Sequence, residues 1–183
     1  MQMPSKHISV LSVEDDFLDA SIFRKTIKRS GLDCELRVVN SVAEFECEVK
    51  AWPWDVIVAD FTLPPDDGFT LLELAKANNI DIPIIILSGT IGEETTAELM
   101  RMGARDVIMK DKPIRLVPAI RREVAETLNR KDKQRLTRKL ATTEGYLNQI
   151  LDAVGDSILG LDQYGLCQFA NPACQRLLGD KSG

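Results

Sequence analysis

The sequence is short of the residues from which most metal centres are made. A single histidine, His7, and four cysteines, Cys34, Cys47, Cys167 and Cys174, are scattered without metal-ligand spacing. The thiols are therefore expected to be free, as in a reducing cytoplasm. No apolar run approaches the roughly 20 residues of a membrane span, and the N-terminal stretch meets an acidic cluster too soon for a signal-peptide core. The expectation is a soluble, cytoplasmic segment without a membrane partner. Positive charge is not in excess either. With 23 basic and 28 acidic residues the net charge is −5, which argues against a general nucleic-acid binder. There is also no glycine-rich nucleotide-binding loop and no helix-turn-helix pattern.

What is present is enough for one full domain and a remainder: 183 residues, 44% apolar and 28% charged. Strand-like and helix-like stretches alternate. Ile8–Val13 is a short apolar run, and Leu18, Ile22, Phe23 and Ile27 follow at helical spacing, with a stop near Ser30 and Gly31. Leu36–Val39 reads as a second strand, after which Ser41 caps a helix carrying Val42, Phe45 and Val49. Val56–Ala59 is apolar without alternation, as a parallel strand covered on both faces would be. Pro64–Gly68 reads as a loop, followed by a helix with Leu71, Leu72 and Leu74. Ile84–Leu87 gives a fourth strand, Glu93–Met102 a helix stopped by Gly103, and Val107–Met109 a fifth strand. Five strands alternating with helices on short connections predict a doubly wound α/β domain, closed by a helix after Pro113.

The polar residues fall informatively on that frame. Glu14, Asp15 and Asp16 directly follow the first strand, Asp60 the third, Ser88 the fourth and Lys110 the fifth. Each alone has a plain explanation, a helix cap or a solvated charge. Together they occupy the carboxyl edge of a parallel sheet, where open α/β folds bind ligands. Crowded carboxylates repel, so they either raise a pKa or hold a divalent cation. All-oxygen ligation suits Mg²⁺. A carboxylate beside such a cation can act as a nucleophile toward phosphorus, an ammonium such as Lys110 can pair with a phosphoryl oxygen, and a hydroxyl such as Ser88 can donate to another. Without a nucleotide loop, the phosphoryl group would come from a partner.

Val13-Glu14-Asp15-Asp16, Asp60-Phe61-Thr62-Leu63-Pro64 with Gly68, Leu87-Ser88-Gly89 and Lys110, in that order, resemble the receiver domains of two-component response regulators over residues 6–125. The resemblance implies a flavodoxin-like five-stranded sheet in the order 2-1-3-4-5. It implies Asp60 as phosphoacceptor, Mg²⁺ as cofactor and a sensor histidine kinase or phosphotransfer protein as partner. Asp15 would be the direct ligand, Glu14 would act through metal-bound water, Asp60 would share the ion, and the Thr62 carbonyl would complete the protein ligands. Ser88 takes the family's switch-hydroxyl position and Lys110 its lysine, whereas Asp16 is left out as a helix N-terminal charge. Such a module is no enzyme beyond its own phosphorylation and dephosphorylation. Three departures stand out. Val107 occupies the place of a frequent aromatic residue, so that aromatic relay is absent. Lys110 is followed by Asp111-Lys112 before Pro113, which excludes a cis bond to proline directly after the lysine. Thr62 and Thr90 hold positions associated in the family with the dephosphorylation rate, which cannot be read from them.

After Leu116 no clear breaker occurs until Gly145; Leu116, Ile120, Val124 and Leu128 are apolar, and Leu136, Leu140, Leu147, Ile150 and Val154 continue at three-, four- and seven-residue intervals. A helical linker over residues 126–150 is expected, able to form an imperfect parallel coiled coil and hence a homodimer. Arg115–Lys139 carries nine basic and three acidic side chains, which reads as a solvated helix face. Ile158–Leu161 and Leu166–Ala170 then form two short strands around an Asp162–Gly165 turn, and Asn171-Pro172 opens a helix. Phe169-Ala170-Asn171-Pro172-Ala173 and Leu177-Leu178-Gly179 resemble the opening of a PAS sensory domain. Residues 151–183 would be about a third of one, so the chain is expected to come from a longer protein with PAS and output modules.

The leading function is thus a receiver whose phosphorylation regulates a linked module through the helix. A receiver-shaped dimerisation or interaction module that never uses its acceptor is the alternative. A phosphatase with an aspartyl nucleophile would need a second acid two residues on, where Thr62 stands.

Overall fold

The computed structural model describes residues 7–179, so residue 6 and residues 180–183 of the spans expected above lie outside the described residues. The chain divides into two compact units, one ending at Asn129 and the other beginning at Arg130.

The first unit alternates strand and helix: β1 (Ile8–Val13), α1 (Phe17–Arg29), β2 (Cys34–Val39), α2 (Val42–Ala51), β3 (Val56–Asp60), α3 (Gly68–Ala77), β4 (Ile84–Ser88), α4 (Glu93–Met102) and β5 (Asp106–Met109). A single 3₁₀ turn, Pro113–Arg115, leads into α5 (Leu116–Ala153). The strands are all parallel and ordered β2-β1-β3-β4-β5, the flavodoxin-like arrangement expected from the motifs. Successive side chains of a strand point to opposite faces, and here both faces are dry. Leu11, Val13, Ile57, Ala59 and Ile86 belong to one core with Phe45 of α2, Leu71 of α3 and Leu99 of α4. Val10, Val56, Val58, Ile85 and Leu87 belong to the other, with Phe23 and Ile27 of α1 and Ile120 of α5. That two-sided burial explains the uninterrupted apolar runs.

The register levels the carboxyl ends of the strands. Val13 lies beside Val39 and Ala59, Asp60 beside Leu87, and Ser88 beside Met109. The residues that follow these ends are thereby brought to one edge. Helix starts are set by short polar side chains: Asp16 caps α1, Ser41 caps α2 and Asp67 caps α3. Gly103 ends α4 at φ +122°, a conformation that disfavours any residue with a Cβ.

The structure refines three expectations. Leu18 and Ile22 have helical spacing but are 69% and 57% exposed, so α1 rests on Phe23 and Ile27. The Pro64–Gly68 stretch is not simply a loop. Thr62–Leu63 pairs antiparallel with Asp66–Asp67 around a cis Pro64–Pro65 bond, making a miniature hairpin before α3. The last long helix passes through Gly145, as the linker expected over residues 126–150 does, and runs on to Ala153. Among the described residues no helix is long and apolar enough to cross a membrane.

Within the second unit a hairpin of β6 (Leu159–Leu161) and β7 (Cys167–Ala170) precedes α6 (Pro172–Leu178). Asn171 is completely buried there. Its amide nitrogen donates to the carbonyls of Leu151 (3.2 Å) and Asp156 (2.9 Å), and its oxygen accepts from the backbone N–H of Ile158 and Cys174, both at 2.9 Å. All four cysteines are free.

Candidate functional site

Asp60 is the last residue of β3, and the loop after it is held on both sides. Phe61 N–H donates to the Leu87 carbonyl (2.7 Å) and Gly68 N–H donates to the Phe61 carbonyl (2.8 Å). Gly68 suits that closure, because a Cβ there would sit 3.2 Å from the Phe61 ring, which would have to give by a few tenths of an ångström. Glu14 leaves β1 with its N–H donating to the Val39 carbonyl at 2.9 Å. It is 4% exposed and Asp60 8%, whereas Asp15 is exposed. Glu14, Asp15 and Asp60 each offer a carboxylate oxygen, and the three lie within 4.8 Å of one another.

Lys110 reaches into this group from the end of β5. Its backbone N–H donates to the Ser88 carbonyl (2.8 Å), which places its side chain at the sheet edge. Its Nζ lies 3.0 Å from Glu14 Oε2, 2.9 Å from Asp60 Oδ2 and 2.5 Å from Asp19 Oδ2. Ser88 is buried at the end of β4, next to this cluster in the register. Thr62 is exposed and starts the miniature hairpin opposite Asp67. Asp16 is occupied elsewhere, accepting from Leu18 N–H (2.7 Å) and Asp19 N–H (3.0 Å). Val107 is half-buried against the core shared with α2, α3 and α4.

The electrostatics follow from this crowding. Burial pushes the Glu14 carboxyl up to about 7, only partly opposed by the Lys110 ammonium and reinforced by the neighbouring Asp60 charge. Burial alone would lower the Lys110 pKa, but hydrogen bonds to Asp19, Asp60 and Glu14 hold it above the usual lysine range. One ammonium thus contacts three carboxylates, and the carboxylate of Asp15 lies beside two of them. The converging oxygens of Glu14, Asp15 and Asp60 have the hardness and charge that a small divalent cation needs, and Mg²⁺ fits this donor set.

The sequence pointed to Glu14, Asp15, Asp60 and Lys110, and the structure brings all four together; it did not point to Asp19. The available signal was local, since Asp19 is an acidic residue in the first turn of α1, close in sequence to the Glu14–Asp16 run.

The chain matches the family profile described as "Response regulator receiver domain" over residues 10–121. It is 30% identical over 185 residues to the transcriptional regulatory protein RprY of Bacteroides fragilis, covering 92% of this chain and 74% of that protein. It is also 30% identical over 133 residues to hybrid signal transduction histidine kinase B of Dictyostelium discoideum, of which it spans 7%. The receiver domain of the Francisella response regulator 1452 superposes with a TM-score of 0.61 at 26% identity, covering 66% of this chain and 99% of that one. A receiver domain of a Pseudomonas aeruginosa sensor histidine kinase, described with a magnesium ion coordinated in its active site cleft, shares the fold. Its TM-score is 0.57 at 20% identity, covering 66% of this chain and 99% of that one.

Proposed function

Because the chain belongs to the response regulator receiver family, whose domains are phosphoacceptor regulatory modules, we propose that Asp60 accepts a phosphoryl group from a sensor histidine kinase or phosphotransfer protein. The observation that carries the reading is the meeting of Asp60 with Glu14, Asp15 and Lys110 at one sheet edge. An Asp60 carboxylate oxygen forms the new bond to phosphorus as the bond from phosphorus to the donor's nitrogen breaks and the leaving imidazole takes up a proton. Lys110, already 2.9 Å from Asp60, pairs with a phosphoryl oxygen. Ser88, on the adjacent strand end, donates its hydroxyl to another. Glu14, Asp15, Asp60 and the Thr62 carbonyl would hold Mg²⁺, which supplies charge neutralisation at the transferring group when bound. The cleft reported with magnesium in the Pseudomonas receiver supports that choice of ion.

The wider assignment is a receiver at residues 6–125, a helical linker at 126–150 and a PAS-like beginning at 151–183. Two observations support it. Leu136, Leu140, Leu147 and Ile150 of α5 are all exposed, and their spacing of four, seven and three residues makes one seam suited to a second copy. The Asn171-Pro172 start of α6 after a hairpin matches the resemblance to a PAS opening. Phosphorylation would bias the linker and thereby a linked module.

Intact-mass measurement after treatment with acetyl phosphate and Mg²⁺ tests the central claim. A Mg²⁺-dependent gain of one phosphoryl group in the wild type, absent in Asp60→Asn, is the expected result. A folded wild type that gains nothing would point instead to an interaction module that leaves its acceptor unused.

A further inference from the structure

An ammonium has three N–H bonds, and the contacts of Lys110 occupy all of them: one with Glu14, one with Asp60 and one with Asp19. Two of these partners belong to the phosphoacceptor site. Asp19 does not. Its carboxylate is outside the group of oxygens that converge from Glu14, Asp15 and Asp60, and it is partly open to solvent. Yet it is the nearest of the three to Lys110, and its backbone is pinned. Asp16 Oδ1 accepts from both Leu18 N–H and Asp19 N–H, fixing the first turn of α1 and with it the origin of the Asp19 side chain.

Phosphorylation of Asp60 to an acyl phosphate would remove the charge that Lys110 now pairs with and put phosphoryl oxygens in its place. Asp19 would remain charged on the other side of the ammonium. Any approach of Lys110 to phosphorus-bound oxygen is then shared with a second anion. We propose that Asp19 is a positioning residue that restrains Lys110 by holding one of its N–H bonds, so that phosphoryl transfer to Asp60 is slower than the site would otherwise allow. This rests on Asp60 being the acceptor, but adds a control that acts through the lysine. The hydrogen bond that Lys110 donates to Asp19 thus holds the ammonium on the side of α1.

The test is a double-mutant cycle on the full chain, with phosphorylation by acetyl phosphate and Mg²⁺ followed by intact mass. Asp19→Asn is expected to accelerate phosphorylation about fivefold. In a Lys110→Gln background the same substitution should change the slow rate by less than about 1.5-fold, because the group it acts through is gone. An equal acceleration in both backgrounds would mean that Asp19 merely repels the anionic donor, and would overturn the proposal. So would an Asp19→Asn rate equal to or below that of the wild type. A second readout is independent of phosphorylation: labelling of Lys110 by an amine-directed reagent at alkaline pH, quantified by peptide mass spectrometry. Labelling should rise severalfold in Asp19→Asn, and unchanged labelling would sink the Asp19 assignment. If the wild type takes no phosphoryl group at all, the acceptor reading falls, and the labelling result alone decides whether Asp19 holds the lysine.

Discussion

At the scale of single residues, Glu14 makes the sharpest demand. Its carboxyl is raised from 4.5 to about 7 by burial in the folded chain, so between those values the native state holds a proton that the unfolded chain has released. Stability in metal-free protein must then fall as pH rises through that window, by an amount on the order of 2–3 kcal/mol. Urea midpoints measured in chelator at pH 5.5 and pH 8 should show the loss, and Glu14→Gln should flatten it. An identical slope in that variant would contradict the assignment. Excess Mg²⁺ should also flatten it, since a bound cation favours the ionised carboxylate. Most of the site was legible because chemistry and position coincide at Glu14, Asp15, Asp60 and Lys110: each follows an apolar run closely. Asp19 was not, because a carboxylate in the first turn of a helix has a sufficient local reason to be there, and only the fold shows Lys110, 91 residues away, reaching it.

Elements were legible where their pattern is long enough to repeat. The five strands of the sheet are buried on both faces and the helices between them carry periodic apolar residues, so their order could be read. The miniature hairpin could not, because two residues per strand are too few to display any period. Nor can periodicity alone say which apolar residues of a helix are covered: Leu18 and Ile22 share the spacing of Phe23 and Ile27 but not their burial. The loop from Asp60 to α3 carries its own prediction. Gly68→Val would force the Phe61 ring away and should lower stability by about 1–3 kcal/mol. Thermal unfolding of the variant checks this, and a melting temperature equal to wild type would show that the loop has slack.

For the whole molecule, the exposed side of α5 bears on how many copies act together. The exposed seam of Leu136, Leu140, Leu147 and Ile150 lies beside Lys139 and Glu144. The two are five positions apart, the offset that faces opposite charges across a parallel two-stranded coil. Leu140→Asp should therefore convert a dimer to a monomer in multi-angle light scattering, and acetyl phosphate should still label its Asp60. A monomeric wild type across accessible concentrations would remove the helix from the account of partners and leave the phosphoacceptor site unaffected.

Asn171 carries a consequence for how a signal would be felt. Four separate stretches, the end of α5, the loop after it, the lead into β6 and the first turn of α6, are fastened by one amide side chain. A buried polar group left without its partner costs about 1–3 kcal/mol, so none of the four can slip alone without that penalty. Rotation or sliding of the helix end is thereby geared to the hairpin instead of being lost in the loop between them. In such a movement one amide would act as the clutch between the helix end and the hairpin.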